Sequence, residues 1–163
     1  MDSQKVKNVM TNLVVVVHPD DSIHQVARRL IRNKIGGAPV VRDGKVLGVV
    51  SEIDITQALM SPAGQRPSER AYFLPSALGE MPSEQHGDRT AIEIMSAPAV
   101  TIGPEENLFM AARQLERQGI KRLPVVDGEG YLLGIVSRRD LVRAMTSEDP
   151  DLGVGEILAS PGL

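Results

Sequence analysis

The sequence predicts an α/β (α+β) chain built from two β-α-β-β-α half-modules packed on each other, and three observations carry that expectation. First, residues 8–59 recur at 93–145: Asn8-Val9-Met10-Thr11, Pro39-Val40-Val41 and Gly48-Val49-Val50-Ser51-Glu52-Ile53-Asp54 are echoed by Ile94-Met95-Ser96, Pro124-Val125-Val126 and Gly134-Ile135-Val136-Ser137-Arg138-Arg139-Asp140. Second, the apolar pattern changes period twice within each copy, from a short β-branched run to helical spacing and back. Third, a unit of roughly 50–60 residues buries too little surface to be stable alone, so tandem copies imply halves that complete one another. Function is expected at their shared seam.

Taken in order, Val14-Val15-Val16-Val17 before Pro19 reads as a strand buried on both faces. Ile23, Val26, Ala27, Leu30 and Ile31 then fall on one face of a helix, with Asp20, Asp21 or Ser22 as N-cap and Arg28, Arg29 and Arg32 on the opposite face. Strands at 38–41 and 46–50 flank Asp43-Gly44, a hairpin turn in which glycine accepts positive φ. A second helix follows over 51–60. The second copy repeats the series: a strand at 99–102, a helix over 107–118 using Leu108, Ala111, Ala112 and Leu115, strands at 123–126 and 132–136, and a helix from Ser137 to about Thr146. The offset is 85 at Pro39/Pro124 (124 − 39) and 86 at Gly48/Gly134 (134 − 48), so one residue has been inserted, and the exposed turn Asp127-Gly128-Glu129-Gly130 is where it belongs. The domain reading is repeat 1 over 1–60, a linker over 61–89, repeat 2 over 90–147 and a flexible tail over 148–163. Within the linker Tyr72-Phe73-Leu74 is expected to dock on the module's own surface or on a dimer partner, and Ile157-Leu158 offers a docking point in the tail.

Composition narrows the function classes. At 163 residues and 42% hydrophobic the chain can build one core, and a net charge of -3 gives no long-range attraction for nucleic acid or anionic membrane. Aromatic content of 2% argues further against single-strand stacking platforms. Cysteine is absent, which excludes disulfides and thiolate chemistry, and His18, His24 and His86 lack metal-ligand spacing. No apolar run reaches the roughly 20 residues that span a bilayer, and the N-terminus lacks a signal-peptide layout. The expectation is a cytoplasmic protein with no catalytic residues and no metal. His18, beside Pro19, reads as a surface loop residue.

The best-defined constellation is Gly48-x-x-Ser51-x-x-Asp54 and its duplicate Gly134-x-x-Ser137-x-x-Asp140, each at a strand-to-helix junction. One account is structural: serine at an N-cap with an acid three residues later is a capping box. The other is functional, since a helix N-terminus offers N–H groups to a phosphate, a first-turn carboxylate can accept hydrogen bonds from a ribose diol, and a strand glycine admits close approach. Spacing alone favours the structural account.

The Pro-Val-Val strand paired with Gly-hydrophobic-hydrophobic-Ser-x-x-Asp, present twice, resembles the cystathionine β-synthase (CBS) domain family, and the tandem resembles a CBS pair or Bateman module. The resemblance implies two repeats packed through their sheets about a pseudo-twofold axis, with clefts for adenosyl compounds such as AMP, ADP, ATP or S-adenosylmethionine and no obligatory cofactor. It also implies a homodimer and an unidentified effector protein. Asp54 and Asp140 match the family's ribose-binding acid, Ser51 and Ser137 the hydroxyl residue near ribose and phosphate, and Thr11 and Ser96 segments lining the base pocket. Ala38-Pro39 and Leu123-Pro124 match the apolar wall against the base, where core packing is an equally good reading. The repeats differ where Lys121-Arg122 replaces Gly36-Gly37. In the family such basic residues reach the phosphates of a nucleotide whose ribose the other repeat holds, which implies a nucleotide with Asp54. Arg138 and Arg139, in the first turn after Ser137, offer a local alternative, and all four cations also fit plain solvated charge. The leading reading is a stand-alone regulatory module for an adenosyl ligand; the alternative is a ligand-free structural or protein-interaction module of the same fold.

Overall fold

In the computed structural model, which describes residues 4–60 and 89–147, the chain forms two compact units whose limits cross the repeat boundary. Among the described residues, the unit containing Asp54 comprises 13–60, 89–100 and 129–132; the unit containing Asp140 comprises 4–12, 101–128 and 133–147. The stretch leading into each repeat thus belongs to the unit of the other repeat. The expected docking of Tyr72-Phe73-Leu74 and of Ile157-Leu158 lies outside the described residues.

The Asp54 unit contains α2 (Ile23–Asn33), β1 (Gly37–Arg42), β2 (Lys45–Ser51), α3 (Glu52–Met60) and α4 (Ala91–Ile94), following α1 (Val6–Val9), which belongs to the other unit. Of the three expected caps it is Ser22 that starts α2: its hydroxyl accepts from Gln25 N–H at 3.2 Å, and its own N–H donates to Gln25 Oε1 at 2.8 Å. Ile23, Val26 and Leu30 are buried, each contributing about 1.5–3 kcal/mol relative to exposure. Ile31 is 73% exposed; eight positions on from Ile23, it has rotated about 80° off the buried stripe. Lys34 closes the helix at φ 54°, the left-handed conformation that Gly119 adopts at the equivalent place.

Strands β1 and β2 pair antiparallel around Asp43 (φ 52°) and Gly44 (φ 80°), the two positive dihedrals of a tight hairpin. A bulge between Val40 and Val41 makes Leu47 the extra residue. The strand expected at Val14–Val17 is reduced to a single parallel bridge, Val17 to Val40. Val17 N–H donates to Pro39 O and its carbonyl accepts from Val41 N–H, whereas the Val16 carbonyl is taken by Arg29 Nη1 at 2.8 Å. That side-chain bond ends the ladder and leaves Val16 37% exposed; it also draws Arg29, which bonds Asp21 Oδ2 as well, away from the solvent face expected for it. The same reduction occurs at 99–102, where only Ile102 bridges Val125. The core gathers Val17, Val26, Leu30, Val40, Val50 and Ile55 with Ala91 and Ile94 of α4.

Helix α4 has no counterpart in the apolar periodicity of the sequence. Thr90 N–H donates to Glu93 Oε2 at 2.8 Å, and Ala91 and Ile92 N–H donate to the Asp21 and Pro19 carbonyls. Arg89, expected at the end of a loose linker, is only 8% exposed: its carbonyl accepts from Ile23 N–H, and its Nη1 donates to Ala58 O in α3.

The Asp140 unit repeats the plan with α5 (Leu108–Gln118), β3 (Arg122–Val126), β4 (Leu132–Ser137) and α6 (Arg138–Ser147), apart from Leu132 at the start of β4, which groups with the Asp54 unit. Asn107 caps α5 through Met110 N–H at 2.9 Å. Leu108, Ala111 and Leu115 are buried, while Ala112 is exposed. Helix α1 sits where α4 does in the other unit: Leu108 N–H donates to Gln4 O, and Val6 N–H to Glu106 O. Lys5 and Lys7 both bond Glu105, Lys7 at 2.6 Å. The inserted residue does fall in the second hairpin turn, between Val126 and Leu132.

Candidate functional site

Both Ser-x-x-Asp motifs form reciprocal capping boxes at the helix starts. At α3, Ser51 N–H and Oγ–H donate to Asp54 Oδ2 at 2.7 and 3.0 Å, and Asp54 N–H returns a 3.4 Å bond to Ser51 Oγ. At α6, Ser137 N–H and Oγ–H donate to Asp140 Oδ2, both at 2.8 Å, with a 3.3 Å return bond. The structural account of the motif is therefore satisfied in both copies. It leaves acceptor capacity, because an ionised carboxylate has about four lone-pair sites and only Oδ2 serves the cap.

What stands near the second oxygen of Asp54 comes from 42 residues away in sequence. Ser96 Oγ lies 3.5 Å from Asp54 Oδ1. Its segment is held on β2 by two reciprocal bonds, Val49 N–H to Ser96 O at 3.1 Å and Ser96 N–H to Val49 O at 2.9 Å. Pro39 pairs with Val49 from the β1 side, and its missing N–H costs nothing because Val49 turns its own backbone groups toward Ser96. Burial holds the Asp54 carboxyl above the usual carboxylate range, opposed by the bonds from Ser51 N–H, the Ser51 hydroxyl and the Ser96 hydroxyl. In the Asp140 unit the equivalent pairing joins Thr11 to Ile135 through bonds of 2.9 and 3.0 Å. Ser96 thus stands beside Asp54, and Thr11 pairs with the strand that leads to Asp140, each in the repeat it does not belong to in sequence.

The remaining expected site residues divide between the units. Ala38 and Pro39 are buried beside the Asp54 motif, and Leu123 and Pro124 in the Asp140 unit. Ala38 and Leu123 are 0% exposed, as core packing requires. Lys121, Arg122, Arg138 and Arg139 all belong to the Asp140 unit. There the Lys121 carbonyl accepts from Arg138 N–H at 3.1 Å, and Arg138 Nε donates to Ile120 O. The matching bond in the Asp54 unit runs from Glu52 N–H to Gly36 O. One helix start is therefore flanked by Arg138 and Arg139, the other by Glu52 and Ile53. The strand glycine was read as room for a ligand; at Gly48 and Gly134 that room is filled by the chain's own Met95-Ser96 and Met10-Thr11. His18 is a surface residue, its Nδ1 accepting from Asp20 N–H. No described helix is long and apolar enough to cross a membrane.

A family profile described as CBS domain matches residues 6–61 and again 91–147. The chain belongs to the CBS domain family. Among its relatives is the uncharacterized protein MJ1426 of Methanocaldococcus jannaschii, 33% identical over 156 residues, covering 86% of this chain and 90% of that protein. The crystal structure of CBSX2 in complex with AMP superposes with a TM-score of 0.70 at 29% identity, covering 89% of this chain and 98% of that one; CBSX2 is a chloroplastic protein of Arabidopsis thaliana. The CBS domain pair of MJ0100, in complex with 5′-methylthioadenosine and S-adenosyl-L-methionine, shares the fold with a TM-score of 0.69 at 24% identity over 90% of this chain and 98% of that one. The tandem CBS architecture expected from the doubled motif is thus present.

Proposed function

We propose that this CBS pair is a regulatory module that binds an adenosine-containing ligand, of the AMP, ADP, ATP or S-adenosylmethionine class, and is not itself an enzyme. The observation that carries the reading is the Asp54 carboxylate. One oxygen is saturated by Ser51, the other meets among the described residues one long contact from Ser96, and partial burial strengthens whatever bond it accepts. A ribose diol supplies two hydroxyl donors to such an acceptor. The solved complex of CBSX2 with AMP, at 29% identity, supports the adenosyl class. Ser51, Asp54, Ser96, Ala38 and Pro39 form the candidate set in one unit, and Ser137, Asp140, Thr11, Leu123 and Pro124 in the other. Lys121, Arg122, Arg138 and Arg139 are the candidate phosphate ligands.

A thermal-shift screen with AMP, ADP, ATP and S-adenosylmethionine, followed by titration calorimetry, tests the proposal. A ligand at 100 times its dissociation constant adds about 2.7 kcal/mol; a flat response to all four defeats the reading in favour of a structural module. Arg122→Ala is expected to weaken AMP more than adenosine, as a phosphate contact requires, and equal losses for both would remove it from the site. The proposal includes a homodimer, supported by Ile53 and Met60 on α3 and Val142 and Met145 on α6, which are 55–70% exposed. Sedimentation at micromolar concentration should give twice the 17.6 kDa chain mass. A cytoplasmic location and an effector protein complete it, to be tested by cell fractionation and by ligand-dependent co-purification.

A further inference from the structure

We infer that Gly48 is a positioning residue for the ligand site of the Asp54 unit: lacking a side chain, it lets the Met95-Ser96 segment close on β2 and so sets the Ser96 hydroxyl against Asp54. The inference rests on the function proposed above and names what places one of its residues.

A Cβ at position 48 would lie 2.6 Å from the Ser96 carbonyl oxygen and 2.7 Å from Met95 Sδ. Ordinary carbon-to-oxygen approach is about 3.3–3.6 Å. The methionine can move; the carbonyl cannot, because Ser96 O accepts from Val49 N–H, the residue next to Gly48. Relief of the clash therefore lifts Ser96 off the strand, lengthening a hydroxyl contact with Asp54 that is already 3.5 Å. The device occurs twice. At Gly134 a Cβ would meet Thr11 O at 2.9 Å and Met10 Sδ at 2.6 Å, although the two approaching segments lie 85 residues apart (96 − 11). The same solution in both units, around a backbone carbonyl in each case, ties the glycine to the placement of the approaching residue more than to the filling of a core.

Amide hydrogen exchange and AMP calorimetry on the full chain test this. In the unaltered protein the Ser96 amide is expected to be protected alongside that of Val41. In Gly48→Ala it should exchange at least tenfold faster relative to Val41 in the same sample, and AMP should bind at least tenfold more weakly. Ser96→Ala should also weaken AMP, and adding Gly48→Ala to it should cost clearly less than Gly48→Ala costs alone, because both act through one hydroxyl. Should Gly48→Ala fail to fold, Ser96→Pro removes the amide anchor and the hydroxyl together without adding bulk at position 48, and it should bind AMP no more weakly than Ser96→Ala does. Unchanged Ser96 protection in Gly48→Ala, a freely exchanging Ser96 amide in the unaltered protein, additive losses, or clearly weaker AMP binding by Ser96→Pro than by Ser96→Ala would each overturn the inference. An unaltered protein that binds none of the four adenosyl ligands defeats the proposed function instead, a result separable from all of these.

Discussion

Replacing Asp54 by asparagine should separate binding from stability. In the folded protein the carboxylate is partly desolvated, and that effect outweighs the bonds from Ser51 and Ser96, so its pKa is raised. A raised carboxyl pKa favours folding below the unfolded value and loses that advantage as pH rises through the folded value. At pH 7 the buried charge is therefore a liability that asparagine removes. Asparagine can still accept the Ser51 N–H bond of 2.7 Å through its amide oxygen, which limits any loss to a fraction of the roughly 1 kcal/mol of a cap. The variant should melt within a few degrees of the parent at pH 7 and should lack the part of the parent's acid-range pH dependence that Asp54 contributes. A ribose diol loses far more, since hydrogen bonds to a charged group contribute about 1.5–3 kcal/mol, which is roughly a ten- to 150-fold loss of affinity at 1.4 kcal/mol per decade. Calorimetry with AMP and thermal melts at pH 4.5 and 7 provide the assay. Wild-type AMP affinity in Asp54→Asn, or a stability loss above about 2 kcal/mol at pH 7, would refute the reasoning.

Other perturbations follow from the same geometry. Arg89→Ala should destabilise the fold by about 1–3 kcal/mol in chemical denaturation, because it removes the bond to the Ala58 carbonyl and empties a buried position. Lys34→Gly should raise the melting temperature, gaining about 0.5–1 kcal/mol by removing the left-handed strain at φ 54° that glycine already avoids at position 119. Glu105 is pulled down to about 2 by Lys5 and Lys7, so its contribution is present above about pH 4.5 and fades as pH falls toward 2. Because the pair is exposed, Glu105→Gln should change stability little, and the little it changes should vanish in 1 M salt.

Much of the fold was legible because its determinants are local. Asp43-Gly44 dictates its turn through two positive dihedrals, Ser22 and Asn107 announce their helices through side-chain acceptors, and the 3.6-residue spacing from Ile23 to Leu30 fixes a buried stripe. What failed to show is what depends on distant partners. Val14–Val17 has strand composition, yet only Val17 finds an edge, because Arg29 takes the Val16 carbonyl. Helices α1 and α4 span four residues each, too short for any period, and are held by carbonyls at 104–106 and 19–21. At the candidate site, the Ser51–Asp54 and Ser137–Asp140 boxes were readable from spacing, whereas the seating of Ser96 on Val49 was not. A trace of it lay in Gly48 and Gly134, whose missing side chains were assigned to a ligand and in fact admit the chain's own backbone.

The crossed membership of the leading stretches bears on whether one repeat is self-sufficient. Residues 89–100 finish the body that holds Asp54, and residues 4–12 finish the one that holds Asp140. Residues 13–60 alone would lack the 89–100 stretch that finishes their body, and another segment would have to supply it.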